Sequence, residues 1–201
     1  RAIQPRLLRA FKATEVARLS WAFAALGLQS EVLMQTIAEF IVGTPAVQQS
    51  FDAAAIARTA WAFAALGVVH RPLMAALSKQ CQDDEVLRTL EAQVVAHLVW
   101  AYATLGIRDR ALLYKLCTLT AEPHFLATFT PEQVAKFMWG LATLKFCHKQ
   151  VITAVAERLT QDKFLSTFDA QNIANTAWAF TSLGYKDAKL TRAMAQRTLE
   201  D

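Results

Sequence analysis

Five hydrogen-bond donors recur at a fixed interval along this 201-residue chain: Arg18, Arg58, His97, Lys136 and Asn175. The steps between them are 40, 39, 39 and 39 residues. Three are formally cationic and none is acidic, although the chain as a whole has 17 acids against 21 bases. A merely solvated face usually mixes the signs. The residues also differ in identity, so plain copying of one ancestral unit does not produce them. Arg and Lys can hold phosphates, and Asn and Gln can read the edges of unpaired bases. Variable polar residues flank this ladder, among them Gln93, Gln133, Gln171 and Asn172. These nine side chains are the candidate RNA-binding set.

Catalytic chemistry has no comparable signature. The sequence holds no Gly-rich phosphate loop, HExxH or GxSxG, and no pair of carboxylates at a shared position. His70, His97, His124 and His148 are read as occupying four different positions, so no shared site is implied; only His97 lies on the ladder. Cys81, Cys117 and Cys147 are odd in number and unclustered. Reduced, buried thiols are the expectation, with no disulfide framework and no metal site. A non-enzyme without a cofactor is expected.

The element that positions the ladder is set by five tryptophans, each three residues after a ladder residue: Trp21, Trp61, Trp100, Trp139 and Trp178. Each opens a related heptapeptide, from Trp21-Ala-Phe-Ala-Ala-Leu-Gly27 to Trp178-Ala-Phe-Thr-Ser-Leu-Gly184. A fixed period of this length marks an array of one supersecondary unit. Counting from Phe11, Phe51, Leu90, Phe129 and Phe168 as position zero, the ladder is position 7 and tryptophan is position 10. Position 1 is often an N-cap residue (Asp52, Thr130, Asp169), and Thr130-Pro131-Glu132-Gln133 reads as a capping box. Position 16 is Gly27, Gly67, Gly106 and Gly184, residues that accept a left-handed helix end. Lys145 stands there in the fourth unit, so that helix should end differently or with strain. A second helix follows, with apolar positions 22 and 26, such as Leu73 and Leu77.

The expected fold is all-α: an α-solenoid of five helix–turn–helix repeats of about 39 residues. The repeats run about 11–50, 51–89, 90–128, 129–167 and 168–201 within one array spanning 1–201. Residues 1–10 read as the tail of a preceding repeat, so the chain is read as a segment of a longer array. On a helical wheel, apolar positions 5, 9, 12 and 16 centre opposite position 7, which therefore faces outward. Position 10 flanks this stripe, and its tryptophans are expected to wedge between successive first helices. Positions 11 and 14 are small throughout and are read as a groove floor. Ala54, Ala55 and Val94 leave repeats two and three poor in polar neighbours. Three phosphate contacts on single-stranded RNA would give a salt slope of only about −2.

Composition agrees with packed helices: 54% apolar residues, with only 6 Gly and 5 Pro. There is no run long enough for a membrane span. The net charge of +4 permits an anionic partner without requiring one.

The columnar Trp-Ala-Phe-Ala-x-Leu-Gly resembles the octotricopeptide repeat and its relatives upstream of RAP domains in organellar RNA-binding proteins. The segment from Asp169 through Gln171-Asn172-Ile173-Ala174-Asn175 to Phe180 carries the likeness best, and the likeness runs from about residue 7 to 198. It implies a helical-hairpin fold in a mitochondrion or chloroplast. It also implies a role in RNA processing, translation or ribosome assembly, with single-stranded or ribosomal RNA along the concave face of the first helices. The competing reading is a protein–protein scaffold or accessory subunit of a large organellar complex, since α-solenoids hold peptides as readily. The second helices also carry many cations, among them Arg71, Lys79, Arg110, Lys115, Lys149, Arg158, Lys189, Arg192 and Arg197, which could touch structured RNA.

Overall fold

The structure is a computed structural model and describes residues 10–199. All of the expected tail of a preceding repeat except Ala10 lies outside the described residues. Among the described residues every regular element is a helix. The first helices of the five hairpins are α1 (Ala13–Ala25), α4 (Ala53–Ala65), α7 (Ala92–Thr104), α10 (Pro131–Thr143) and α12 (Ala170–Ser182). The second helices are α2 (Glu31–Gly43), α5 (Arg71–Cys81), α8 (Arg110–Thr120), α11 (Lys149–Thr160) and α13 (Ala188–Leu199). Short helices fill three connectors: α3 (Pro45–Gln49), α6 (Asp84–Leu87) and α9 (Pro123–Leu126). A 3-10 segment, Asp162–Thr167, fills the fourth. The protein is an all-α array of helical hairpins. No helix is long and apolar enough to cross a membrane among the described residues.

Local chemistry explains where the first helices start and stop. Asp52 and Asp169 accept hydrogen bonds from the backbone N–H groups of Ala55 and Asn172, both at 2.7 Å. Thr130 and Gln133 close a reciprocal capping box. At the other end Gly27, Gly67, Gly106 and Gly184 have φ between 64° and 71°. There the residue after each glycine donates back to position 12, as in Val68 N–H to the Phe63 carbonyl at 2.9 Å. Lys145 adopts the same geometry with φ of 51°, and Phe146 N–H still reaches the Leu141 carbonyl at 2.9 Å. The fourth helix therefore ends like the others, and the cost is backbone strain on an L side chain. Lys145→Gly is expected to stabilise the protein by about 0.5–1 kcal/mol, the strain relieved less the extra freedom of glycine in the unfolded chain. Thermal denaturation measures it; an unchanged or lower midpoint refutes the strain.

Packing follows from residue size. Ile56, Val95 and Val134 at position 5 and Phe63, Tyr102 and Leu141 at position 12 are buried against the second helices. The Tyr102 hydroxyl donates to the Met74 carbonyl at 2.6 Å, tying repeat three to repeat two. The first helices pack most extensively on one another, α1 on α4, α4 on α7, α7 on α10 and α10 on α12. Small residues permit this: Ala62, Ala101, Gly140 and Ala179 at position 11 are all buried. The second helices meet their neighbours less extensively. The first helices are thus the closer-packed of the two layers, the inner layer.

The hairpin topology also defines two long edges. The turns from first to second helix lie along one edge. The connectors from second helix to the next repeat lie along the other.

Candidate nucleic-acid interface

All five position-7 side chains reach solvent from the inner layer. Arg18 and Arg58 are exposed, while His97, Lys136 and Asn175 are half-buried. The electrostatics are weaker than the residue types suggest. Lys136 Nζ is paired with Glu132 Oε1 at 2.5 Å, one helical turn earlier, and this contact holds the Glu132 carboxyl below its ordinary pKa. Burial, then the neighbouring Lys136, lowers the pKa of His97, with Glu132 opposing, so the imidazole is a neutral donor near pH 7. The cationic part of the ladder is thus Arg18 and Arg58, which have no ion-pair partner among the described residues.

The flanking polar residues divide. Gln93 and Gln171 are exposed on the same stripe, and Asn172 is half-buried. Gln133 spends its side-chain oxygen on the Thr130 N–H at 3.0 Å, so the capping box competes with any base for it. Ala55 and Val94, at the position equivalent to Gln133 and Asn172, are buried. The expected groove floor needs correction as well. Position 14 is exposed in every repeat (Ala25, Ala65, Thr104, Thr143, Ser182), but four of the five position-11 residues are sealed between first helices.

The tryptophans are more accessible than wedged core residues. Trp21 and Trp178 are each 48% exposed, and Trp61, Trp100 and Trp139 are half-buried against the core. Each indole stands on the stripe defined by positions 3, 7 and 14. Thr143, Lys145, Cys147, Trp178 and Ser182 line an open cavity of about 450 Å³ where this stripe reaches the turn edge.

Several chemically suggestive residues turn out to build the fold. Arg158 donates to the carbonyls of Leu126, Ala127 and Phe129. Lys115 donates to Gln82 at 2.9 Å, and Arg197 to Phe168 at 3.3 Å. These three are therefore not the free outer-surface cations the sequence suggests. Cys81 and Cys117 are buried as expected, with burial pushing both thiols up to about 12, while Cys147 is exposed. His70 and His148 share one repeat position, the N-cap of the second helix, contrary to the reading that separates them. Their Nδ1 atoms accept from the backbone N–H groups of Leu73 at 3.0 Å and Val151 at 3.5 Å.

The His148 cap gives stability a pH dependence. Burial lowers its pKa from 6.5, with a backbone hydrogen bond opposing, and only the neutral ring can accept at Nδ1. A lowered folded pKa means the contribution is complete above pH 6.5 and is lost as pH falls through the folded value. His97 acts in the same direction. The melting temperature should drop between pH 7.5 and 5, and His148→Asn, which keeps an acceptor, should flatten that drop. An equally steep drop in His148→Asn refutes the assignment.

The sequence model of one protein family, RESC6: RNA-editing substrate-binding complex 6 protein, matches residues 5–188, a span that contains all nine candidate residues. None of the curated proteins matches the chain. The match overturns the resemblance to octotricopeptide and RAP-associated repeats, because the columnar tryptophans belong to a different family of helical arrays. The expectations of chloroplast, ribosome and translation fall with that resemblance, while the link to RNA processing stands.

Proposed function

This chain belongs to the RNA-editing substrate-binding complex 6 protein family, and from that premise we propose that it is a non-catalytic scaffold subunit of a mitochondrial RNA-editing assembly. The observation that carries the reading is the family match itself, which spans 5–188 and is named for a component of a complex. The inner face supports it. Each repeat presents an indole, a small residue at position 14 and one polar residue at position 7, a mixed surface of the kind protein partners use. The formal cations on that ladder come down to Arg18 and Arg58 once Lys136 is paired. The test is affinity capture of the tagged chain from a native editing assembly, with protein crosslinks mapped before and after ribonuclease. Protein crosslinks to the first helices that survive ribonuclease are expected. Loss of every protein association on ribonuclease treatment would overturn the scaffold role.

A second reading places single-stranded RNA along position 7, favoured by the exposure of Arg18 and Arg58. On that reading the combined Arg18→Ala, Arg58→Ala and Lys136→Ala variant binds single-stranded RNA more weakly. Its salt slope shrinks by about 1.4, the share of two free cations rather than three. Unchanged affinity with intact helical circular dichroism removes the ladder from RNA binding.

A further inference from the structure

The two long edges of the array differ in charge. From repeat two onward the turn edge bears exposed cations in every repeat: Arg71, then Arg110 with Arg108, which also donates to the Lys145 carbonyl at 2.9 Å, then Lys145 and Lys149, then Lys186 and Lys189. The acids on that edge in these repeats, Asp109 and Asp187, are half-buried and committed to N-caps, accepting from Leu112 and Leu190. Asp109 also accepts from the Ser78 hydroxyl at 2.6 Å. Along the connector edge acids prevail. Asp83, Asp84, Glu85, Glu91, Glu122 and Asp169 are exposed there, as are Asp52 and Glu157, against exposed Lys79, Arg88 and Lys163 and the carbonyl-bound Lys115, Arg158 and Arg197. A mildly basic chain has thus sorted its charge across its width, and the net charge of +4 conceals a strongly basic rim.

We infer that the turn edge of repeats two to five is a docking surface for the phosphate backbone of RNA. Packed helices stand about 8–10 Å apart, so the cations recur along the rim at that interval, one in repeat two and two in each of repeats three to five. A regular polyanion running along the array meets them in succession, as a compact acidic patch would not. The rim offers a protein little else to hold. Large exposed apolar side chains occur at its turns in repeats one and two, at Leu26, Leu28 and Val69. In repeats three to five Ile107, Phe146 and Tyr185, which correspond to Leu28, are half-buried, so exposed apolar anchors are few there, Trp178 at the cavity beside Lys145 being the large one. Macrodipoles do not decide the sign, because the C-termini of the first helices and the N-termini of the second helices share this edge. Side-chain charge does. Lys and Arg keep that charge through the physiological range, so the surface is insensitive to pH and sensitive to salt. Contact through the backbone carries no sequence readout, which suits a subunit that holds RNA while base pairing or other proteins select it. The inference does not depend on what the inner face holds.

The test is fluorescence anisotropy of the purified chain with a labelled 20-nucleotide single-stranded RNA across a salt series. Arg71→Ala, Arg110→Ala, Lys149→Ala and Lys189→Ala combined should lower affinity more than tenfold at about 0.1 M salt and reduce the salt slope by about 3. Arg71→Lys with Arg110→Lys should bind like the parent, because position and charge, not a guanidinium fork, are needed. Arg18→Ala with Arg58→Ala should change affinity less than the rim variant. Parental affinity in a rim variant with an unchanged melting curve overturns the inference. So does displacement of the RNA by polyglutamate at matched charge, which would hand the rim to an acidic protein. Failure here leaves the ribonuclease-resistant protein crosslinks of the scaffold role untouched, and loss of those crosslinks leaves this result untouched.

Discussion

Gly140→Leu is expected to destabilise the protein by about 3 kcal/mol and to split its unfolding into two steps. Gly140 lies in the middle of α10, where glycine is intrinsically unfavourable by about 1 kcal/mol relative to alanine. Its presence is explained by α7. A Cβ built at Gly140 would sit 2.7 Å from Val99 Cγ1 and 3.0 Å from the Val99 carbonyl oxygen. Valine in a helix has essentially one rotamer, so it cannot swing clear, and the backbone oxygen cannot move without the helix. The repeat shows the same constraint solved differently elsewhere. Position 9, which Val99 occupies, is Ala60 in the repeat before Ala101 and Met138 in the repeat before Ala179. Only where the facing residue is β-branched does glycine stand. Gly140→Ala alone should therefore cost about 1 kcal/mol despite its better helix propensity, and Val99→Ala should offset part of that cost when the two are combined. The double variant restores the Ala–Ala pairing of the preceding junction. Because each repeat contacts its neighbours alone, forcing α7 and α10 apart uncouples repeats one to three from four and five. Guanidinium denaturation followed by circular dichroism and by tryptophan fluorescence should give non-coincident curves for Gly140→Leu. Coincident curves with an unshifted midpoint would mean the close approach is not a constraint.

Features set by neighbours along the chain were legible in the sequence. The period, the N-caps at Asp52, Thr130 and Asp169, and the glycines that end the first helices all act within a few residues. The outward direction of position 7 follows from helix geometry. What the sequence hid depends on contacts between elements. Position 11 reads as small and exposed, yet Ala62, Ala101 and Gly140 are small because the preceding first helix lies against them. Gln133 reads equally well as a base reader and as a capping residue, and Thr130 decides between them. Lys136 looks like a free cation until Glu132 is placed one turn away. The tryptophan-and-glycine column reports how hairpins stack, so it does not by itself identify the family. The charge sorting of the two edges was available in principle, because Arg71, Arg110 and Lys149 fall at one repeat position. Grouping cations by helix conceals it, because each second helix starts on one edge and ends on the other.

Arg158→Ala is expected to destabilise the protein by about 3 kcal/mol, the largest effect of any charge removal in the described residues. Arg158 projects from the last turn of α11 into the connector that opens its own repeat. Its guanidinium donates to the Leu126 carbonyl, to Ala127 at 3.1 Å and to Phe129 at 3.0 Å, and lies 3.6 Å from the centre of the Phe164 ring. The carbonyls it satisfies lie at the end of α9 and just before α10, a stretch where the backbone leaves one helix before another begins. Burial lowers the pKa of the group without approaching neutrality at any working pH, so the cation is present throughout. The same position recurs as a clasp: Gln80 donates to the Gln49 carbonyl at 3.3 Å, and Arg197 to Phe168. Only arginine supplies several donors in one plane together with a flat face for the ring. Arg158→Lys should therefore recover less than half of the loss, because one ammonium cannot reach three diverging acceptors. Arg158→Met should recover little beyond the packing of the stem. Because the interaction is with backbone dipoles rather than an opposite charge, the loss should change little between 0.1 and 1 M salt, unlike that of a surface ion pair. A salt-sensitive loss, or full recovery by lysine, would reassign Arg158 to the charged surface. The clasp closes the connector edge of repeat four against its own repeat.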